Sequence, residues 1–263
     1  MSLIRRVDCM ETPQGFLLSW DVVDGVVIKK SVVYAVSKSR QFIIDSPLIS
    51  TGRCLISPRN YHLAESFKIS VVSHTGETET TEPISPRRLT RDQRLILTDL
   101  RRRTLTTLKA SPVGVYEAKL LLRRLDGMPC ELCGPNVCAG LGGSAAANSC
   151  PVCIGTGVTD PYYVYDNSVK LLGVNSPDDQ NVSSPEVQRS HKIRTFSTPF
   201  ETHIRPDDLI VTGAEIYKVI EQTIPVSVGG VPVNLYLNCY KYEPDDERYI
   251  ALRTLAYGKF SNE

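Results

Sequence analysis

Five cysteines, Cys130, Cys133, Cys138, Cys150 and Cys153, fall within 24 positions of a 263-residue chain. Four of them form two Cys-x2-Cys pairs, Cys130–Cys133 and Cys150–Cys153, with sixteen residues between the pairs. Each pair can close a tight knuckle whose two sulfurs point the same way. Two knuckles then place four thiolates around one ion. Zinc suits that set, because it accepts tetrahedral sulfur ligation without redox chemistry. Four protein ligands leave no open coordination position, so the expected site is structural and not catalytic. Cys138 is a substitute ligand for the same site. Disulfides, or free thiols that only sit close together, are the alternatives for these cysteines. In Cys150-Pro-Val-Cys-Ile-Gly-Thr-Gly157 the glycines stand where a knuckle's backbone must turn around the metal. Cys9, Cys54 and Cys239 are scattered and read as buried thiols.

No other pattern carries chemistry. The four histidines, His62, His74, His191 and His203, make no His-Glu-x-x-His and no nucleophile elbow. Gly140-Leu-Gly-Gly143 lacks the Lys-Ser or Lys-Thr of a phosphate loop. Asp207-Asp208 and Asp245-Asp246-Glu247 lie beside prolines and read as solvated turn acids. An enzyme is therefore not expected. The formal net charge of +1 argues against a globally basic nucleic-acid binder. Charge is uneven, however. Residues 87–124 hold eleven Arg and Lys against Asp92, Asp99 and Glu117, an excess of +8. Arg101-Arg-Arg103 reads as a solvated helix face, or as an interface for acidic neighbours or phosphates. Aromatic residues for base stacking are absent between 87 and 115. No apolar run nears the roughly 18 residues of a membrane helix. The opening Met1-Ser-Leu-Ile-Arg-Arg6 has no apolar stretch behind its charges, so no secretory leader is expected.

The elements that must hold the cysteines separate into three segments, and the predicted class is mainly β and multidomain. Over 1–86, Phe16–Trp20, Val26–Ile28, Val32–Val36, Phe67–Val72 and Thr78–Ile84 read as short strands between turns, a small β-sandwich. Over 87–160, Thr90 and Gln93 form a capping box. A helical apolar stripe follows, Leu95, Ile96, Leu97, Leu100, Leu105 and Leu108, running into the cysteine segment. Val115–Leu122 fits a strand or a second short helix. Over 161–263, Tyr162–Tyr165, Lys192–Phe196, Asp208–Val211, Glu215–Ile220 and Val231–Tyr240 read as strands. Thr212-Gly213 and Gly229-Gly230 are hairpin turns between them, giving a small antiparallel barrel.

Trp20, Tyr34, Phe67–Gly76 and Glu82-Pro-Ile-Ser-Pro86 resemble a fibronectin type III domain, whose usual work is adhesion or spacing. Cys150–Gly157 resembles the Cys-x2-Cys-x-Gly-x-Gly unit of J-domain chaperone zinc regions. Only the metal knuckle carries over from that likeness. The order of sandwich, basic helix, knuckle pair and barrel resembles tailed-bacteriophage virion proteins. Leu121–Cys130 and Cys150–Gly157 are similar to theirs. The last segment resembles neck proteins of the head-closure and tail-adaptor kind, through Asp207–Val211, Tyr217–Val219, Val231–Val233 and Glu243–Glu247. This resemblance implies a structural head–tail connector, made in the host cytoplasm and located in the virion neck. It implies a homo-oligomeric ring touching other neck, portal or tail proteins, with DNA passing through its channel and no membrane partner. A tail-fibre or baseplate adhesin is the first alternative. A zinc-ribbon nucleic-acid-binding protein is the second.

Overall fold

Runs of β-branched and apolar residues, broken by Gly, Asp and Pro, fold as short strands along most of the chain. The computed structural model describes residues 2–12, 15–23, 26–38, 40–57, 64–110, 114–132, 150, 152–165, 167–174, 193–199, 204–213, 215–244 and 246–257. The protein is mainly β. It divides into two units, and the chain runs through each of them twice. One holds Met1–Thr90 with Arg123–Tyr163, the other Arg91–Leu122 with Val164–Glu263.

The first unit contains two antiparallel sheets. Strands β1 (Ile4–Thr12), β2 (Gly15–Val22) and β5 (Arg53–Ile56) form one, in the order β1-β2-β5. Strands β3 (Ile28–Ser37), β4 (Arg40–Ile44), β6 (Ser66–Ser73) and β7 (Thr78–Thr80) form the other, in the order β4-β3-β6-β7. The period-two pattern of β6 sends Phe67, Ile69 and Val71 inward. They meet Leu18, Trp20, Cys54 and Ile56 of the opposite sheet in one core. In β3 the inward positions change parity, from Ile28 to Val33 and Ala35. A register shift between Ile28 and Lys30 accounts for it, since one extra residue turns every later side chain to the other face.

The second unit is a closed barrel. Its strands are β8 (Val115–Arg123), β10 (Val169–Val174), β11 (Ile193–Pro199), β12 (Leu209–Thr212), β13 (Glu215–Thr223) and β16 (Asn234–Lys241). They pair antiparallel in the order β10-β11-β16-β13-β12-β8, and β8 returns to β10 to close the ring. Val115–Leu122 is thus a strand, which its periodicity left open. Strand β9 (Tyr162–Val164) lies where the chain passes between units, and β14 (Ser227–Val228) with β15 (Val231–Pro232) makes a hairpin over Gly229-Gly230. Both glycines sit at positive φ, 59° and 80°, as this tight turn requires. A barrel of six strands is too narrow for a lumen, and side chains fill it. Leu120, Phe196, Tyr217, Leu235 and Leu237 are fully buried there. Phe196 meets Tyr217 edge-on, with ring centroids 5.0 Å apart.

A polar cluster joins the ends of β11, β13 and β16. Lys241 Nζ and Tyr217 Oη donate to the Glu215 carboxylate at 2.5 and 2.6 Å, and Arg194 donates to Tyr217 Oη at 2.9 Å. Partial burial acts against the Glu215 carboxylate. Its bonds from Lys241 and Tyr217, with the charges of Lys241 and Arg194, outweigh that and hold its pKa below the usual value. A depressed carboxyl stabilises the fold above its unfolded pKa, about 4.3. That contribution is lost as pH falls through the folded value. Glu215→Gln is therefore expected to lower the melting temperature at pH 7, with the difference from the parent narrowing as pH falls below the ordinary carboxyl range. Thermal melts across that range measure it; a constant difference at all pH values would show that charge plays no part.

Two helices belong to the same unit, α1 (Arg91–Ala110) and α2 (Glu247–Tyr257). Helix α2 falls in the stretch whose sequence pattern suggested only strands and an acidic turn. Asp246 caps it. Its carboxylate accepts the Arg248 backbone N–H at 2.9 Å and binds the Arg248 guanidinium through both oxygens, at 2.8 and 2.6 Å. Asp246→Ala is expected to cost about 1 kcal/mol, the usual loss for an N-cap. Helicity at 222 nm and the melting temperature of the variant check this.

Candidate metal centre

Three of the predicted ligands come together. Cys130, Cys150 and Cys153 are buried, and their sulfurs all lie within 4.8 Å of one another. Two short segments deliver them. Met128–Cys130 runs antiparallel to Gly157–Thr159, with Thr159 N–H donating to Met128 O and Cys130 N–H to Gly157 O, each at 2.9 Å. The knuckle turn then folds back on itself, Ile154 N–H donating to Cys150 O and Thr156 N–H to Cys153 O. Ile154, Gly155 and Gly157 all take positive φ, at 52°, 80° and 81°. Glycine does this freely. Ile154 is β-branched, so its conformation carries strain of the kind that persists only where the surroundings impose it.

The turn aims backbone donors at sulfur. Burial disfavours the Cys150 thiolate. The N–H groups of Cys153 and Val152, with the thiols of Cys153 and Cys130, outweigh it and lower the pKa. Cys153 is pushed up to about 11, first by burial and then by the neighbouring sulfurs, against N–H donation from Gly157 and Gly155. Without a cation, burial and the neighbouring sulfurs thus disfavour the Cys153 thiolate, while backbone donors favour that of Cys150. A bound cation would supply the charge that ionises the others.

The spacing also fits an ion. Cys130 Sγ and Cys150 Sγ are 3.7 Å apart. A tetrahedron of thiolates at about 2.3 Å from zinc has edges of about 3.8 Å, whereas a disulfide needs about 2.05 Å. Among the described residues every cysteine is a free thiol. The donor set is soft, dry and pre-turned, which is what a closed structural site requires. Cys133 and Cys138 lie outside the described residues. Cys9 and Cys54 lie in the sandwich core and Cys239 is buried in β16, and burial first of all pushes each thiol up to about 12.

A strap ties the centre to the sandwich. Leu125 and Asp126 N–H donate to Ser50 O, and Gly127 N–H donates to Ile28 O at 3.0 Å. Asp126 Oδ2 accepts the Ser31 N–H at 3.2 Å, and His74 Nε2 lies 2.7 Å from Gly127 O. His74 is therefore an anchor of the strap and not a ligand among the described residues. Sequence reasoning passed over this strap. Asp126-Gly127 next to the first knuckle was the signal that could have marked it.

The arginine triplet divides. The Arg101 guanidinium donates to Pro232 O at 3.0 Å. Arg102 and Arg103 point outward and share the Asp99 carboxylate, at 2.9 and 2.7 Å. Of the acidic pairs, Asp207 binds Lys218 at 2.6 Å, and buried Asp208 accepts the Arg205 N–H at 2.7 Å. These are structural bonds. Comparison of the chain with protein-family models, with curated proteins and with solved structures gave no match.

Proposed function

We propose that the chain is a structural protein of a tailed-bacteriophage virion, one protomer of the neck ring that joins the DNA-filled head to the tail. The observation that carries this reading is the closed six-stranded barrel. Two of the stretches that resemble head-closure and tail-adaptor proteins, Asp207–Val211 and Tyr217–Val219, contribute to its strands β12 and β13. A filled, edge-free barrel is a rigid spacer and suits a ring that must bear load. The strand orders β1-β2-β5 and β4-β3-β6-β7 around one core support the fibronectin type III reading of the first unit. The cysteine centre is read as structural zinc, with Cys133 completing the set begun by Cys130, Cys150 and Cys153, or Cys138 in its place. Zinc there would pin a segment that has little core of its own.

Immunogold electron microscopy on particles from the chain's source tests the assignment. Label at the head–tail junction is the expected result. Label on fibres or baseplate would move the protein to the tail tip. Particles without label would overturn the virion reading.

A further inference from the structure

Helix α1 turns Leu97 and Leu108 inward, and Leu95 and Ile96 outward. Leu95 is 62% exposed and Ile96 52%. They make an adjacent apolar pair on the face away from the helix's buried stripe. Their surroundings are charged and unbalanced. Arg91, Arg94, Arg102 and Arg103 flank them, while Asp92 and Asp99 are the only carboxylates in the helix. Asp99 holds the two guanidinium groups of Arg102 and Arg103 side by side.

We propose that this outer face of α1 docks a protein partner whose contact surface is apolar at its centre and acidic at its rim. Three observations favour protein over nucleic acid. An exposed Leu–Ile pair does nothing for phosphate, but it is the dry centre that a protein interface needs. The hydroxyls of Thr98, Thr106 and Thr107 donate back to the carbonyls of Arg94, Arg102 and Arg103, so their protons do not point at a phosphate. The helix also carries no aromatic side chain for base stacking. A second α1 is a poor occupant, since cations outnumber carboxylates and like charges would meet. Carboxylates suit the paired Arg102 and Arg103, because a guanidinium fork matches a carboxylate with two parallel bonds.

The proposal holds wherever in a particle the chain sits, so it stands or falls apart from the neck assignment. The test uses Leu95→p-benzoylphenylalanine in the full chain, photolysed in cells where the chain is naturally made. The same photo-probe at exposed Thr78 on β7 is the control. The expected product joins position 95 to a protein segment with Asp or Glu around apolar residues. Leu95→Glu with Ile96→Glu, assayed through a probe at Thr98, should cut the yield about tenfold, a typical hot-spot loss. These side chains face solvent, so the variant's thermal melt should match the parent's. Arg102→Glu should also lower the yield, and Lys in place of the mapped carboxylate should restore it. A product with nucleic acid, a product with a basic surface, a yield no higher than at Thr78, or a charge swap that restores nothing would each overturn the proposal.

Discussion

Serine at position 153 is expected to abolish metal binding and unfold the segment around Cys130 and Cys150, while the sandwich keeps its core. Cys153 is fully buried and receives backbone N–H groups at its sulfur, from Gly155 and Gly157. An alcohol oxygen is a harder and weaker ligand for zinc than a thiolate. A structural zinc centre contributes on the order of 10 kcal/mol to the fold around it. Among the described residues of 123–163 buried apolar side chains are few, and the only buried hydrophobic cluster consists of the three cysteines. The sandwich core, by contrast, draws on residues 3–84 among the described residues. The chain has one tryptophan, Trp20, and it lies in that core at 1% exposure. Its fluorescence therefore reports the sandwich separately. Parent protein should carry one zinc per chain by elemental analysis, and Cys153→Ser less than a tenth of that. Chelation should remove amide-exchange protection from residues 124–132 and 152–160 and leave the Trp20 emission blue-shifted. Reductant alone should change neither. Protection that survives chelation but collapses with reductant would replace the metal by disulfides.

The sequence carried the strands with strong alternation or dense apolar runs, because those patterns have one reading. Phe67–Val72 and Glu215–Ile220 lie within β6 and β13 for that reason. It did not carry β1, whose Ile4-Arg-Arg-Val7 opening looks polar until β2 is beside it. Helix α2 was hidden by its position. Its signal is the Asp246 cap followed by Leu252 and Ala256 on one face, and it sits in a stretch dominated by strand residues. The three cysteines were legible because ligand spacing is local. The two units are not local. A linear reading places the basic helix and the knuckles in one segment, yet α1 and the cysteines belong to different units. Contacts between distant residues decide that, such as Gly127 N–H with Ile28 O, and no window of sequence contains both partners.

That contact leads to the second large effect. Gly127→Ala is expected to destabilise the first unit by about 3 kcal/mol, from positive-φ strain and overpacking together. Gly127 has φ 150°, a conformation that L side chains rarely adopt. A Cβ there would lie 2.5 Å from Val158 Cγ1. Val158 cannot easily give way. It is 4% exposed, β-branched, and paired with Pro129 in the ribbon that delivers Cys130. Relief of the clash must therefore shift either the ribbon or the strap. Both routes weaken the metal centre, so zinc affinity should fall along with the melting temperature. The two causes separate in a double variant. Val158→Ala removes the methyl that the new Cβ meets, so Gly127→Ala should cost less in that background than in the parent. The remaining cost is the backbone's. If the substitution costs the same in both backgrounds, sterics play no part and φ alone decides. If zinc affinity is unchanged while stability falls, the strap holds the sandwich but does not position the cysteines.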